Sequence, residues 1–249
     1  MRATLWGKDH EELDQIASVA AGERAALAIT RGRYPKAYGY EDPNEDAVAV
    51  VVGSRATLLL CADGHYGVTS SHVAVQTVLD ALGDDPPEAL GDDAWLEVFG
   101  AANDAILATK GPDSPHPASD TVLIAALVSP GRLSFGAIGD GALVVCRPGS
   151  ERGRQLNREA MRFLGQPMNK RAMKNSIQRG TLELEPDLWV VMVTDGLSEF
   201  VTPLRPADVV PRALAISREG TAEAAAVAVV DTACSAGAGD NVAVALVRP

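Results

Sequence analysis

Five short acidic motifs stand out in the chain: Glu45-Asp46, Asp63-Gly64-His65, Asp140-Gly141, Asp195-Gly196 and Asp240-Asn241. Taken singly, an Asp-Gly pair is a turn, because Asp bonds its own backbone and Gly accepts positive φ. Taken together they read differently, since each adjoins a strand-like apolar run. Asp63 follows LLLCA, Asp140 follows LSFGAIG, Asp195 follows VVMVT, Asp240 opens the last run and Glu45-Asp46 opens the first. Strand ends from distant parts of a chain can converge at one edge of stacked sheets. Converging carboxylates repel, and their ionised form is tolerated only when cations neutralise them. A donor set of oxygens, without Cys or clustered His, selects the hard ions Mg²⁺ or Mn²⁺. Two such ions bridged by one carboxylate lower the pKa of a bridging water and clamp both oxygens of an in-line phosphoryl displacement.

The elements that must position these residues follow from the hydrophobic pattern. Runs at 47–52 and 57–62, with Gly53-Ser54 between them, predict a hairpin. Val68, Val75, Val78, Leu79 and Leu82 recur at helical spacing, and Gly83-Asp84-Asp85-Pro86-Pro87 stops that helix. A second helix is expected over 95–109, followed by a loop, GPDSPHPAS. Strands are expected at 121–128, 133–138, 142–146, 177–184, 188–193 and 241–247, and helices near 206–218 and 221–235. Residues 9–21 read as a short helix with Leu13, Ile16 and Ala17 on one face. Residues 31–46 read as a loop. Strands in the middle and helices in pairs predict α+β layers rather than βαβ units. No linker separates two cores, so residues 1–249 are expected to form one domain.

The chain has 249 residues and a net charge of −11, which argues against nucleic acid as the main partner, since phosphate backbones need concentrated Lys and Arg. No apolar run approaches the ~20 residues of a membrane span, and the N-terminus lacks a signal-peptide core, so a cytoplasmic location is expected. Three Cys are too few for a disulfide framework. Cys61 and Cys234 lie in apolar runs and read as small core residues. Against the acidic background, residues 151–180 carry eight basic residues and two acidic ones. Such a segment is either a solvated, mobile stretch or a collar that draws an anionic partner toward the acidic site.

The order Asn44-Glu45-Asp46, Ala62-Asp63-Gly64-His65, Gly139-Asp140-Gly141, Thr194-Asp195-Gly196-Leu197 and Gly239-Asp240-Asn241 resembles the metal-dependent serine/threonine protein phosphatases of type 2C. Arg162-Phe163-Leu164-Gly165 looks like the family's short segment ending in Leu-Gly. The resemblance runs from about residue 44 to residue 247. It implies a four-layer α-β-β-α sandwich, two antiparallel sheets flanked by helix pairs, with two Mn²⁺ or Mg²⁺ ions at one end. Asp63 would bridge both ions and Gly64 would offer its carbonyl. Asp195 and Asp240 would bind one ion, while Glu45 and Asp46 would act on the other or on its waters. A bridging hydroxide is the family's nucleophile, and His65 is the matching candidate general acid. Asp140 matches a position taken as structural. The implied partners are a phosphorylated protein substrate and a separate Ser/Thr kinase in the same pathway.

Three departures from the family pattern matter. The family's phosphate-gripping Arg, four residues before the Glu, is here Glu41, which leaves Lys36, Arg33 or Arg31 to supply that charge. The place of an additional metal-binding Asp falls near His116, with Asp113 and Asp120 as imperfect substitutes, so no third metal is expected. The Thr-x-Asp-His-Ser stretch is missing and the flap that follows it is short. The first departure also supports an alternative: a catalytically weak or dead member acting as a phosphoprotein- or kinase-binding scaffold. The shortened flap would suit a third reading, a phosphatase of small metabolites.

Overall fold

The computed structural model describes residues 1–36, 41–198, 205–217 and 220–248. The chain opens with strands β1 (Arg2–Trp6), β2 (Ile16–Ala21), β3 (Ala25–Thr30), β4 (Ala47–Val52) and β5 (Thr57–Ala62). A two-residue strand β6 (Gly64–His65) leads into helices α1 (Thr69–Leu82) and α2 (Asp92–Thr109). Next come β7 (Asp120–Thr121), β8 (Leu123–Ser129), β9 (Arg132–Ile138), β10 (Ala142–Cys146) and β11 (Arg154–Gln155). After α3 (Lys170–Ser176) follow β12 (Gln178–Glu183) and β13 (Trp189–Val193), then α4 (Pro206–Ile216), α5 (Ala222–Ser235) and β14 (Val242–Val247).

Two six-stranded antiparallel sheets result, in the orders β1-β4-β5-β8-β9-β12 and β11-β10-β13-β14-β3-β2, beside the small pair β6-β7. Three apolar layers hold them. Side chains alternate across each strand, so Val48, Val50, Leu59, Cys61, Ile124 and Ala126 of the first sheet meet Leu27, Ile29, Leu143, Val190, Met192 and Ala245 of the second. The opposite face of the first sheet, with Leu58, Leu60, Leu123 and Leu127, packs on Val75, Val78, Leu79, Trp95 and Phe99 of α1 and α2. The opposite face of the second, with Val144, Val191, Val193 and Val244, packs on Val210, Leu214, Val229 and Val230 of α4 and α5. Both faces of both sheets are covered, which is why the strands read as continuous apolar runs and the α-β-β-α expectation holds.

The helix expected over 9–21 is not formed. Gly7–Asp9 makes a 3-10 turn and Ile16–Ala21 is an edge strand, registered against β3 from Ile16↔Thr30 to Ala21↔Ala25. Three apolar residues on a helical face offer less than this ladder does, and strand status comes from the partner rather than from propensity.

The antiparallel pairing places the acidic motifs. Asp46 precedes β4 and Asp63 follows β5, and Ala47↔Ala62 are partners, so the two motifs lie side by side. Asp195 follows β13 and Asp240-Asn241 precedes β14, which pairs with β13 through Val193↔Val244. Gly139-Asp140-Gly141 links the end of β9 in one sheet to the start of β10 in the other. The segment 31–36 leaves the end of β3, where Thr30 faces Val242. All these connections therefore leave the sandwich at the same end.

Phe99 of α2 is fully buried, and its ring lies against Gly136 of β9, where a Cβ would sit 2.7 Å from Phe99 Cε2. Phe99→Ala is expected to remove about 3–5 kcal/mol of stability, read as a lowered urea midpoint.

Candidate metal centre

Glu45, Asp46, Asp63 and Asp240 are buried at this end, with Asp195 partly exposed beside them. Hydrogen bonds hold Glu45, Asp46, Asp63 and Asp240 in place, those of Glu45 and Asp46 reaching the other sheet. Thr194 Oγ1 donates to Asp46 Oδ2 (3.0 Å) and accepts from Ala243 N (2.9 Å), which ties β4 to the β13–β14 end. Asn241 Oδ1 accepts from Glu45 N (3.0 Å), and its Nδ2 donates to Arg31 O (3.1 Å) and Pro43 O (3.0 Å). Asp240 Oδ1 accepts from Asn241 N at 2.6 Å. Asp63 O takes Thr121 Oγ1 (2.7 Å) and Val122 N (2.9 Å). Glu45 Oε1 accepts from Gly67 N (2.5 Å), and its carbonyl takes Ser71 Oγ (2.6 Å) and Gly64 N (3.2 Å).

The close approach depends on missing side chains. A Cβ on Gly196 would lie 1.9 Å from Asn241 O, and one on Gly64 would lie 2.6 Å from Glu45 O. Glycine after each Asp is thus required by neighbouring backbone, which the turn reading of Asp-Gly does not capture.

Ligand oxygens of Asp63, Asp140 and Asp195 lie within 4.8 Å of one another. Asp140 Oδ1 is buried without a hydrogen-bond partner among the described residues. The sequence placed Asp140 as turn support; its carboxylate is also part of the acidic constellation. Burial, then neighbouring carboxylates, pushes Asp46, Asp63 and Asp195 well above the ordinary carboxylate range, and burial raises Asp140 as well. Asp63 and Asp195 are close enough to share a hydrogen bond between their side chains. A carboxylate group whose charges are this unfavourable, with oxygen donors alone and one acceptor unused, fits a hard divalent cation.

Among the sequence-selected cations, only Lys36 is brought to this cluster. Its Nζ lies 3.0 Å from Glu45 Oε2 and 2.9 Å from Asp240 Oδ1, and its side chain is 3 % exposed. Burial would lower its pKa, but Asp240 and Glu45 outweigh that and hold it above the ordinary lysine value. Arg33 pairs instead with Asp14 (3.2 Å) and Asp231 (3.3 Å). Arg31 donates to Glu11 O (2.8 Å), and Glu41 is exposed.

His65 is partly buried against Phe163, with ring centroids 4.7 Å apart, and its Nδ1 has no partner among the described residues. Near the place of a third-metal Asp, Asp120 and His116 are otherwise engaged. Asp120 binds Lys110 Nζ (2.7 Å) and Gln166 Nε2 (2.9 Å), and His116 sits between Thr69 Oγ1 (2.8 Å) and Asp42 Oδ2 (3.2 Å). A cleft of about 540 Å³ opens beside Asp140 and Asp195, lined also by Glu159, Met161, Ser198 and Arg205. Thr194 and Asn241 are the positioning residues that sequence reasoning passed over. Both lie inside the quoted motifs, and only their cross-sheet partners reveal the role.

Two stacked antiparallel sheets flanked by helix pairs, with an acidic centre at one end, define a metal-dependent phosphatase architecture. The sequence profile of the family described as protein phosphatase 2C matches residues 35–228. The chain belongs to this family and is by class a metal-dependent serine/threonine protein phosphatase, with Mn²⁺ and Mg²⁺ as the family's cofactors. The chain is similar to the Mycobacterium tuberculosis serine/threonine phosphatase PstP/Ppp at 26% identity, covering 90% of this chain and 97% of that one, with a TM-score of 0.66. The catalytic domain of PstP solved in complex with 2 manganese ions matches at 23% identity, over 93% of this chain and 98% of that one, with a TM-score of 0.66. A bacterial serine phosphatase shares the fold at 17% identity, over 90% and 97% of the two chains, with a TM-score of 0.69. No curated protein sequence matches the chain.

The raised carboxylates set a pH dependence. Without metal, the folded cluster binds more protons than the unfolded chain, so the stability they confer is present at low pH. It is lost as pH rises from the unfolded carboxylate value through the folded ones. The rise in melting temperature on adding Mn²⁺ is expected to be larger at about pH 7.5 than at about pH 5, because metal then replaces absent protons. Thermal melts with Mn²⁺ and with EDTA at both pH values measure it.

Proposed function

We propose that this chain, acting as one domain, hydrolyses phosphoserine and phosphothreonine in proteins at a centre of two Mn²⁺ or Mg²⁺ ions. The observation that carries this reading is the meeting of Glu45, Asp46, Asp63, Asp195 and Asp240, from both sheets, at one buried end. Asp63, Asp195 and Asp240 would hold one ion, and Asp63, Asp46 and the Gly64 carbonyl the other, with Glu45 acting on its waters. When bound, the ions supply an activated water as nucleophile and withdraw charge from the phosphoryl oxygens.

The chain's own residues do the rest. His65 protonates the leaving serine or threonine oxygen. Phe163 braces its ring, and its unpartnered Nδ1 is not committed to holding the fold. Lys36 supplies a point charge for the phosphate in place of the usual Arg, while Arg33 is committed to Asp14 and Asp231. Thr194 and Asn241 keep the two carboxylate pairs in register across the sheets.

Mn²⁺-dependent hydrolysis of p-nitrophenyl phosphate and of a phosphothreonine peptide tests this. Asp195→Asn and Asp63→Asn are each expected to lower turnover by roughly 100-fold or more while leaving the fold largely intact. Activity surviving Asp195→Asn would show that the site is elsewhere. Absence of turnover with Mn²⁺ bound would favour the scaffold reading, whose support is Glu41 at the phosphate-grip position.

The cleft beside Asp140 and Asp195 supports a protein substrate. Its wall includes Glu159 and Met161. Arg158 and Arg162 flank that wall, are exposed, and make no ion pair among the described residues. Arg158→Gln with Arg162→Gln is expected to reduce kcat/KM on an acidic phosphopeptide severalfold, with little change on p-nitrophenyl phosphate and with the difference fading in salt. Equal losses on both substrates would rule out a collar.

A further inference from the structure

Lys36 is placed as no other cation in the described structure is. Its ammonium joins Glu45, which leads into β4 of one sheet, to Asp240, which precedes β14 of the other. It therefore closes the gap between the sheets at the very end where the carboxylates gather. Asp240 is also among the donors that a divalent ion would use, and Glu45 is the residue proposed to act on the waters of such an ion. An ammonium and a divalent cation repel at such distances, and in a buried site that repulsion is poorly screened, so both cannot be held beside Asp240 Oδ1 at once. Lys36 also has the means to leave. It lies in the connection after β3 rather than in a strand, and its four-carbon stem is flexible.

We infer that Lys36 is the resident counter-ion of the metal-free centre and a built-in competitor of metal, one that ion binding must displace from Glu45 and Asp240. The inference rests on the proposed two-ion centre. The ion that would take Asp240 as a donor binds only as the ammonium withdraws. Withdrawal frees the same charge to meet the phosphate, so that the substrate grip forms only after the metal is in place.

Calorimetric titration of metal-free protein with Mn²⁺, together with thermal melts in EDTA, tests this on wild type, Lys36→Met and Lys36→Arg. Lys36→Met is expected to bind one Mn²⁺ about tenfold tighter than wild type, because one competing charge is gone, and to melt lower in EDTA. Lys36→Arg keeps the competing charge and is expected to follow wild type. If Lys36→Met does not fold in EDTA, Mn²⁺ must restore it, since the ions then take over the counter-charge. A variant unfolded in Mn²⁺ as well would overturn the inference. Superimposable Mn²⁺ isotherms for folded wild type and Lys36→Met would overturn it while leaving the phosphatase reading intact. Failure of either protein to bind Mn²⁺ would overturn both.

Discussion

Carboxylates that repel one another are gathered at one end of the sandwich, and much of the structure is organised around that unfavourable charge. Asp46 and Asp240 are almost wholly removed from water, Asp63 nearly so, and each lies within electrostatic reach of the others. In such a place the ionised form survives only with counter-charge. Protons, the Lys36 ammonium and divalent ions are three ways to supply it, and each implies a different state of the molecule. The fold tolerates the cluster because a large apolar interior, three layers deep, carries the stability that the site gives up. Functional sites commonly break the local rules that the rest of a protein obeys.

The sandwich solves the positioning problem by parity. In an antiparallel pair, the end of one strand lies beside the start of the next. A chain that alternates direction therefore delivers β4, β10 and β14 starts, and β3, β5, β9 and β13 ends, to the same face. The hydrogen bonds that Thr194 donates to Asp46 and that Asn241 accepts from Glu45 then tie one sheet to the other at this end. The glycines that follow Asp63 and Asp195 let backbone approach to contact, and so set how near the carboxylates come.

Charge outside the centre has the opposite organisation. In a chain with net −11, residues of the basic stretch 151–180, Glu159 and Met161 among them, line the cleft beside Asp140 and Asp195.

Much of the architecture was legible from sequence because most strands are buried on both faces. Runs such as LLLCA and VVMVT carry their own signal, and the motif order assigned the family. The first thirty residues were not legible. Ile16–Ala21 and Ala25–Thr30 are poor in bulky branched residues; β3 is a strand because β14 offers it a partner, and β2 because β3 then does. At the site, the sequence by itself determined which carboxylates stand at strand ends and that oxygen-only donors call for hard cations. Residue type and local pattern suffice for that. Only the tertiary structure decided that Asp140 joins Asp63 and Asp195, that Lys36 rather than Arg33 reaches the cluster, and that Thr194 and Asn241 bind the sheets together. Those are distances between residues far apart in the chain, which strand register and sheet stacking set and which no local spacing encodes.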